Sequence, residues 1–583
     1  MPGCDALLSL IATVGLAAVL LAYGDRVRRW LRLPASPGIR PATSLAIGSW
    51  ALALPLLALG LAGALRSLWI LAVVAVAAGL GRWRSMRRLL PRPAVILAGG
   101  VLALPAAAAF PFFYDAWVYH LGLPWQALIE HGFHPHVENL FSTFPPLAQL
   151  TALPALAASL PRVPALLHLV ACLFVATTIA ALARRLGAGR RLAEVAGVAF
   201  LLAPPLGLVV GFPAAEGWFL VALVPAVAIA VGAPRLRWAP FAAGLLAGIA
   251  TASRLQGAPW GLLILALILV RYRRVWPTAA TLGGLAAGAA PWWVKNAILL
   301  GSPFAPIGWH RPGIETLWRD AGSWLASGRS PIQCVLSLPS LLAPFAGFVA
   351  PLLLAAVLSL LAPRGDRRRL ALLIAGGLAA WSATGTLERF LAPSVALLLA
   401  LAVAGRSRAT RLAGCAVVVT TAALGIVPSV RVLAATDLVA APFINGGRGT
   451  TRLRVNDPLP AYRAARLLPS DARLLLVGET RPLLCPRRMV VTSQHDVSPL
   501  RTPLEEGGAP AALRWLHRHR ITYVLINRGE MERLAPGYPV APWRTERGRD
   551  AWWQLVGLLG RPAIIAGPVV VLPTTRGSPP SPP

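Results

Sequence analysis

Charged residues are scarce in this sequence, and acidic residues and lysine are the scarcest of them. Only 13% of the 583 residues are charged, whereas a soluble globular protein typically has about 25%. The chain has 22 acidic and 55 basic residues, and Lys295 is its only lysine. Hydrophobic residues make up 56%. This composition excludes an ordinary soluble protein and indicates many membrane-spanning segments.

The five cysteines are scattered, and no CxxC pair or other metal-ligand spacing occurs. This excludes a disulfide framework and a cysteine metal site as the basis of the fold. The first apolar run has its arginines after it rather than before it. That order predicts an uncleaved first span with its N-terminus outside, and not a cleaved signal peptide.

About fourteen apolar runs of roughly 13–23 residues follow one another, close to the ~20 residues that span a bilayer. Short arginine clusters follow every second run. Under the positive-inside rule these clusters mark the cytoplasmic side, so the net charge of +33 does not indicate nucleic-acid binding. We therefore predict a polytopic α-helical membrane protein with about 13–14 transmembrane helices. The same alternation predicts that the loop at 111–163, Glu216 and the C-terminal part lie outside the cytoplasm.

Long apolar runs end near residue 434. Short strand-like runs alternate there with helix-like stretches, at 471–478, 489–492 and 521–527. This alternation predicts a small α/β domain that ends in a disordered tail at 577–583. The predicted domains are N-terminal transmembrane helices at 1–92, a transmembrane domain with a large loop at 93–433, and the α/β domain at 434–583.

The loop at 111–163 concentrates side chains that exchange protons. They are Asp115, His120, Glu130, His131, His134, His136 and Glu138. His134, His136 and Glu138 alternate along an extended segment, and such ligands suit zinc or manganese. The spacing matches no specific zinc signature, so solvated loop histidines are the competing interpretation. A divalent metal remains an alternative, without any residue assigned to it.

Two acids lie at the ends of apolar runs on the predicted outer face. Asp115 follows one run and Glu216 precedes another. A carboxylate at this position suits a general base, although Asp is also a favoured helix N-cap. Glu216 either faces a cavity or is an interfacial glutamate in solvent. Two acids at the same face favour a shared site.

Three cations lie on the same face, against the positive-inside trend: Arg254, Lys295 and Arg389. A lone lysine at the end of a span can hold a phosphate as a point charge, or it can snorkel to the interface beside Trp292 and Trp293. Each arginine can alternatively form a local salt bridge. As a set, the three cations favour an anionic lipid headgroup as ligand.

Several segments occur in an order that resembles one enzyme family. They are YDAWVYHLGLPWQALIEHG and NLFSTFPPL in the loop, the acid Glu216 before a span, PWWVKNAILLGSPFAP, and ERFLAP. They resemble the C-type (GT-C) membrane glycosyltransferases, relatives of protein O-mannosyltransferases and lipid A aminoarabinose transferases. The resemblance covers residues 93–430. The order of these segments along the chain and their placement relative to the apolar runs carry the resemblance.

The resemblance implies a GT-C-like catalytic bundle that transfers a hexose or pentose from a polyprenyl-phosphate donor. The acceptor would be a glycan, lipid or protein at the periplasmic face of a bacterial inner membrane. The implied roles are Asp115 as catalytic base, Glu216 as second acid for the acceptor or a metal, and Arg254, Lys295 and Arg389 as donor-phosphate ligands. Contacts to the acceptor or within the loop are expected from Tyr119, His120, Glu130, His134 and Glu138.

The sequence departs from the family pattern after Asp115. The mannosyltransferases have two adjacent acids in this loop, whereas Ala116 follows Asp115 here. Acceptor type and metal dependence therefore stay open. A transporter or flippase of lipid-linked sugars is the alternative function, since charges within the membrane also line transport paths. A protein that binds lipid-linked sugar without catalysis is a weaker alternative.

Overall fold

The computed structural model describes residues 2–84, 89, 93–232, 237–311, 314–320, 322–323, 327–360, 365–405, 407–435 and 458–574. Within these ranges the chain is helical up to residue 435 and has an α/β arrangement from residue 458. The predicted disordered tail at 577–583 lies outside the described residues. Residues 436–457, which follow the predicted boundary near residue 434, also lie outside them.

The helical part begins with four helices before the polar loop: α1 (Pro2–Trp30), α2 (Arg40–Leu61), α3 (Ser67–Leu80) and α4 (Pro93–Ala108). The loop contains a π-helical turn (Ala116–His120), α5 (Gly122–Glu130) and a 3-10 turn (Leu140–Thr143). After the loop come α6 (Leu147–Ala157), α7 (Val163–Arg185), α8 (Arg190–Leu202), α9 (Glu216–Gly232), α10 (Ala239–Ser253), α11 (Gly257–Tyr272) and α12 (Val275–Leu300). The remaining helices of this part are α13 (Ile314–Asp320), α14 (Pro331–Leu336), α15 (Leu338–Leu342), α16 (Ala346–Leu360), α17 (Gly365–Thr384), α18 (Ala392–Ala402) and α19 (Arg408–Ala435).

Several of these helices are long and apolar enough to cross a membrane. By length and composition, 5 of the described helical segments qualify, including Arg40–Leu61 and Val163–Arg185. Shorter apolar helices of 10–17 residues lie between them, among them α9, α10 and α11. The predicted polytopic α-helical membrane fold is confirmed.

Helices α10 and α12 pack closely against each other through glycine residues. The facing surfaces carry Gly244 and Gly248 on α10, and Gly284 and Gly288 on α12. A Cβ atom at any of them would collide with the backbone of the other helix. Small residues allow membrane helices to approach in this way and to gain dispersion contacts. The contact holds the C-terminal end of α10, where Arg254 follows, in a defined position beside α12.

The C-terminal part is a five-stranded sheet in the order β2-β1-β3-β5-β4. Its elements are α20 (Leu459–Ala464), β1 (Arg473–Val477), β2 (Arg488–Val490), α21 (Arg501–Arg518), β3 (Tyr523–Asn527), α22 (Arg528–Leu534), α23 (Glu546–Leu559), β4 (Ile564–Ala566) and β5 (Val569–Pro573). β1 pairs in parallel with β2 and β3, while β5 is antiparallel to β3 and β4. Helices α21 and α23 cover one face, where Trp552 and Leu555 pack on Leu475 and Val524.

The predicted α/β character is confirmed. All three strand-like runs of the sequence form strands, and they are the three parallel ones. The edge hairpin of β4 and β5 was not among the predicted strands. Its two strands are short, and only Gly567 and Pro568 separate them. The sequence therefore does not show two separate apolar runs of ordinary strand length, which would have indicated a hairpin.

The α/β part packs on the polar loop through the carboxyl ends of its parallel strands. Trp125 Nε1 donates to the Cys485 carbonyl at 2.8 Å, and Asn139 Nδ2 donates to the Val491 carbonyl at 3.3 Å. The Leu140 amide donates to Asp496 Oδ2 at 2.9 Å. Because these contacts come from α5 and from the start of the 3-10 turn, the α/β part fixes the middle of the loop at two places.

Removing the Asp496 carboxylate is expected to weaken this contact strongly. Asp496 is fully buried, and its other oxygen accepts from Arg311 Nη2 at 2.8 Å. Asp496→Ala would leave a buried guanidinium without its counter-charge, a change that typically costs about 3–5 kcal/mol. We expect faster hydrogen exchange at the Leu140 amide and a lower melting temperature. Asp471→Ala, at an exposed aspartate of the same domain, should change stability by no more than about 0.5 kcal/mol. Equal exchange rates in both variants would contradict the role of Asp496.

Candidate active site

Asp115 lies just before the π-helical turn of the loop, and its side chain does not cap that turn. Instead Oδ2 accepts hydrogen bonds from Nη1 and Nη2 of Arg389, both at 3.0 Å. The Tyr119 hydroxyl donates to the same oxygen at 3.2 Å. The helix-cap alternative for this carboxylate is therefore wrong. The side chain instead binds Arg389, which lies 274 residues later in the chain.

Glu216 is the first residue of α9 and is only 2% exposed. Its Oε1 accepts a hydrogen bond from Arg254 Nη1 and lies 3.7 Å from Arg389 Nε. Its Oε2 is buried and has no hydrogen-bond partner among the residues that the structure describes. The alternative of an interfacial glutamate in solvent is wrong, because this carboxylate lies inside the protein.

The two arginines come from ends of helices that are distant in sequence. Arg254 follows α10, and Arg389 lies in the 3-10 turn Glu388–Leu391 before α18. The Phe390 ring packs under both guanidinium groups, with its centre 4.2 Å from Cζ of Arg254 and 5.7 Å from Cζ of Arg389. An aromatic face stabilises a cation at such distances.

Asp115, Glu216, Arg254 and Arg389 thus form one ion-pair cluster of two acids and two arginines. Arg389 joins the two carboxylates, and Arg254 binds the more buried one. Glu216 is buried and the other three charged groups are partly buried. Removing charges from water costs free energy even when they are paired, so such a cluster in a membrane protein indicates a functional reason. The cluster is the candidate active site.

Two further predicted residues border the cluster. Tyr119 donates to Asp115, and its ring stacks on Phe141 with ring centres 4.2 Å apart. His120 is buried beside it, and burial lowers the pKa of its imidazole to about 4. His120 is therefore neutral at neutral pH, and it adds a polar group to the site without adding charge.

No protein-family model matches the sequence, and no curated protein matches it either. Among solved structures, the chain is similar to ArnT from Cupriavidus metallidurans bound to undecaprenyl phosphate, with a TM-score of 0.52. The identity is 14%, and the match covers 83% of this chain and 97% of ArnT. The chain has the GT-C fold. The resemblance read from the sequence is therefore confirmed at the level of the fold.

A second solved structure is AglB from Archaeoglobus fulgidus, in complex with an inhibitory peptide and a dolichol-phosphate. Its TM-score is 0.43, with 13% identity over 76% of this chain and 71% of AglB. That likeness is too small to support an argument. At 14% identity, the likeness to ArnT shows the GT-C fold and no residue roles.

In this GT-C fold Lys295 lies apart from the ion-pair cluster. It is only 5% exposed, and Nζ donates to the Ser142 carbonyl at 2.7 Å. Among the described residues it forms no ion pair, and its hydrogen bond goes to the loop and not to a residue of the cluster. It lines a cleft together with His134 and His136. The predicted phosphate ligands are thus divided between two places.

The loop acids Glu130 and Glu138 flank His136. His136 Nε2 lies 2.9 Å from Glu130 Oε2, and Nδ1 lies 3.2 Å from Glu138 Oε1. His134 is exposed. In the part of the chain that the structure describes, no group of three or more His, Cys, Asp or Glu residues is arranged to hold a metal. The loop acids are engaged with a histidine of their own loop.

This arrangement predicts a pH-dependent stability. Burial alone would lower the pKa of His136, but the hydrogen bonds and charges of Glu130 and Glu138 raise it from 6.5 to about 10. The stabilisation is complete below pH 6.5, falls as the pH rises, and is lost above about pH 10. The melting temperature of the wild type should therefore exceed that of His136→Gln most at pH 6 and least at the highest pH. His134→Gln is the control, and a difference independent of pH would contradict the prediction.

Some residues of the site were not predicted. Phe390 lies within the segment ERFLAP, directly after Arg389, and only the structure shows that its ring also packs on Arg254. Asp496 and Thr480 come from the α/β part, and the Tyr114 hydroxyl lies 2.7 Å from Thr480 Oγ1. Tyr114 precedes Asp115, so the α/β part contacts the loop directly beside the cluster. No local sequence pattern indicates a contact across such a distance in the chain.

Proposed function

We propose that the protein is a membrane glycosyltransferase that moves a hexose or pentose from a polyprenyl-phosphate carrier to an acceptor. The acceptor is a glycan, a lipid or a protein at the outer face of a bacterial inner membrane. The observation that carries the proposal is the ion-pair cluster, which brings a candidate base together with two guanidinium groups. A base and fixed cations are what transfer from a phosphate leaving group requires.

In the proposed reaction an acceptor hydroxyl or amine attacks the anomeric carbon of the sugar. The bond from that carbon to the phosphate oxygen breaks, and its electron pair stays on the phosphate. Asp115 takes the proton of the attacking group. Its Oδ2 is held by Arg389 and Tyr119, while Oδ1 has no hydrogen-bond partner among the described residues. Oδ1 is therefore the atom we assign as the base.

The two arginines are the proposed ligands of the donor phosphate. Each guanidinium has five N–H donors, and only some of them are used in the contacts with Asp115 and Glu216. The remaining donors can stabilise the negative charge that develops on the leaving phosphate. ArnT, which has the same fold, was solved bound to undecaprenyl phosphate. This supports a polyprenyl phosphate as the carrier.

Glu216 is the proposed contact for the acceptor. Its buried Oε2 lacks a partner in the described part of the chain, and a buried acceptor atom of this kind gains about 1–3 kcal/mol from a hydrogen-bond donor. A hydroxyl or amine of the acceptor would supply that donor. Tyr119 and His120 border the same space and are further candidates for acceptor contacts.

A divalent metal does not fit the ion-pair cluster. The two carboxylates are each bound to arginine, so the cluster is neutral as a whole. Only two carboxylate oxygens, Asp115 Oδ1 and Glu216 Oε2, are without a partner among the described residues. A divalent cation bound there would lie beside both guanidinium groups and be repelled by them. We therefore assign no step of the reaction to a metal.

The direct test uses the purified protein in proteoliposomes with radiolabelled polyprenyl-phosphate hexose and pentose. Labelled glycoside is expected when a bacterial envelope extract supplies the acceptor, and little is expected from the Asp115→Asn variant. Movement of labelled lipid across the bilayer without any glycoside would overturn the proposal and favour a flippase. Binding of the donor with neither transfer nor movement would favour a protein that has lost catalysis.

A further inference from the structure

His168 forms two hydrogen bonds that fix the state of its imidazole. It lies on α7 and is fully buried. Its Nε2 accepts from the Gly217 amide at 2.8 Å, and its Nδ1 lies 3.1 Å from the Val210 carbonyl oxygen. An amide N–H can only donate and a carbonyl oxygen can only accept, so Nδ1 carries the proton and the ring is neutral. A protonated ring would direct an N–H at the Gly217 N–H, so the contact requires this one tautomer.

The Gly217 amide belongs to the first turn of α9, which begins at Glu216. The N–H groups of a first turn have no earlier carbonyl within the helix, and a buried N–H group without a partner costs free energy. His168 supplies the partner from another helix. Gly217 allows this approach because a Cβ there would lie 2.9 Å from Cδ2 and 3.0 Å from Nε2 of the imidazole. The imidazole is therefore fitted closely against the residue next to Glu216.

The segment between the two hydrogen bonds, residues 210–217, touches the surroundings of both acids of the ion-pair cluster. It contains Glu216 itself. Its Phe212 ring stacks on the Phe113 ring with ring centres 4.7 Å apart. Phe113 is two residues before Asp115 in the loop. One short segment thus carries the first acid and packs beside the second.

The same segment is closely packed on its other side. A Cβ on Gly211 would lie 2.7 Å from the Ala103 carbonyl oxygen on α4, the helix that leads into the loop. Residues 213–215 are buried. A close-packed interior transmits a displacement and does not absorb it. A shift at His168 is therefore expected to reach Phe212 and Glu216.

A cap for α9 alone would not need a histidine from another helix. Ser, Thr, Asp or Asn directly before a helix caps it locally, whereas Ala215 occupies this position here. The imidazole instead binds both ends of the segment 210–217 and joins them to α7. This arrangement fixes where the segment lies relative to the bundle, which a local cap does not do.

We propose that His168 is a positioning residue, which fixes the separation of the two acids of the ion-pair cluster through the segment 210–217. It acts through Glu216, whose Oε1 lies 3.7 Å from Nε of Arg389. Arg389 in turn binds Asp115, so a displaced Glu216 disturbs the orientation of the proposed base. The effect on rate rests on the proposed transfer reaction, whereas the effect on geometry does not.

Kinetics in the proteoliposome assay test the effect on rate. His168→Leu removes both hydrogen bonds and is expected to lower kcat of the folded protein about 10²-fold, the loss that a displacement of about 1 Å can cause. In a Glu216→Gln background the same substitution should cost much less, because the residue that it positions is already altered. Unchanged kcat with a lower melting temperature, or strictly additive losses, would overturn the proposal and leave His168 as a cap of α9.

Two amide substitutions separate the two hydrogen bonds. The His168→Gln side chain can place its amide oxygen near the position of Nε2 and accept from Gly217, so kcat should stay within about tenfold of the wild type, the factor that one neutral hydrogen bond contributes. The shorter His168→Asn side chain reaches only towards Val210, and its kcat should fall as in His168→Leu. Equal activities of the two amide variants would contradict the assigned contact.

Gly217→Ala tests the same contact without a change at His168. The added Cβ displaces the imidazole, so kcat should fall as in His168→Leu. Alanine favours a helix more than glycine does, so α9 should persist in this variant. Gly217→Ala with wild-type kcat would overturn the proposal, even if His168→Leu does not fold.

Hydrogen exchange of the full-length protein, measured by mass spectrometry, tests the geometry without any transfer. His168→Leu is expected to speed exchange about tenfold both in residues 207–219 and in residues 110–117. Thr178→Ala is the control on α7, since this buried hydroxyl binds only the Phe174 carbonyl of its own helix, and it should change neither region. Faster exchange in 207–219 alone, or in neither region, would overturn the proposal. If the wild type transfers no sugar, the proposed function fails while this measurement still decides the positioning role.

Discussion

Asp115→Asn is expected to lower the rate of sugar transfer by about 10²–10⁴-fold, the contribution typical of a general base. The amide has nearly the same shape but cannot take the proton of the attacking hydroxyl or amine. Its oxygen can still accept a hydrogen bond from Tyr119 or Arg389, so the site should keep its geometry. We therefore expect kcat to fall while KM for the donor changes little. Steady-state kinetics with a labelled donor measure both constants.

The matched control is Glu388→Gln, at the residue that precedes Arg389. Glu388 is half-buried and forms no ion pair with any described residue. The substitution makes the same chemical change beside the cluster without touching it, and its transfer rate should stay within about twofold of the wild type. An Asp115→Asn protein with wild-type kcat would remove Asp115 from the mechanism. Equal losses in both variants would indicate general damage to this region.

The charged residues of the cluster were predictable because each is placed against a strong tendency. Asp115 and Glu216 border apolar helices, and the arginine pattern predicts that Arg254 and Arg389 lie on the side that cationic residues avoid. Charges in such positions must find partners inside the protein or in a ligand. The sequence therefore predicted which residues share a face of the membrane, and the structure joins these four directly.

The lateral position of Lys295 could not be predicted in the same way. Hydropathy and charge give the depth of a residue and the side of the membrane, but not its neighbours within the plane. Those neighbours follow from helix packing, such as the approach of α10 and α12 through Gly244 and Gly284. Lys295 lies at the predicted end of α12, yet the turn at Leu140–Thr143 separates it from the arginines.

The contact of the α/β part with the loop was equally invisible in the sequence. The Leu140 amide and the Asp496 carboxylate are 356 residues apart. Local patterns predict the strands, because β1, β2 and β3 are short apolar runs. They do not predict which edge of the sheet meets another part of the chain. The role of this part remained open for that reason, and its contacts now place it beside Tyr114 and Asp115.

Arg389→Lys is expected to lower transfer by about 10²–10³-fold, the loss typical when one fixed donor to a developing negative charge is removed. The guanidinium group binds Asp115 through Nη1 and Nη2 and approaches Glu216 through Nε. A lysine has a single nitrogen and cannot reach both carboxylates and a phosphate at once. Arg254→Lys should lose less activity, because Arg254 binds only Glu216 within the cluster.

A double-mutant cycle decides whether Arg389 acts with Asp115. If Arg389 both orients the base and binds the leaving phosphate, the losses from Asp115→Asn and Arg389→Lys will be strongly non-additive. Arg408→Lys, at the exposed start of α19, is the control for replacing an arginine by a lysine, and it should leave kcat unchanged. Strictly additive losses would mean that the ion pair at 3.0 Å has no part in catalysis. If Arg389→Lys weakens only the affinity for the donor, Arg389 binds the carrier and does not act in the transition state. An interaction that is equally strong with substrate and transition state changes KM and not kcat.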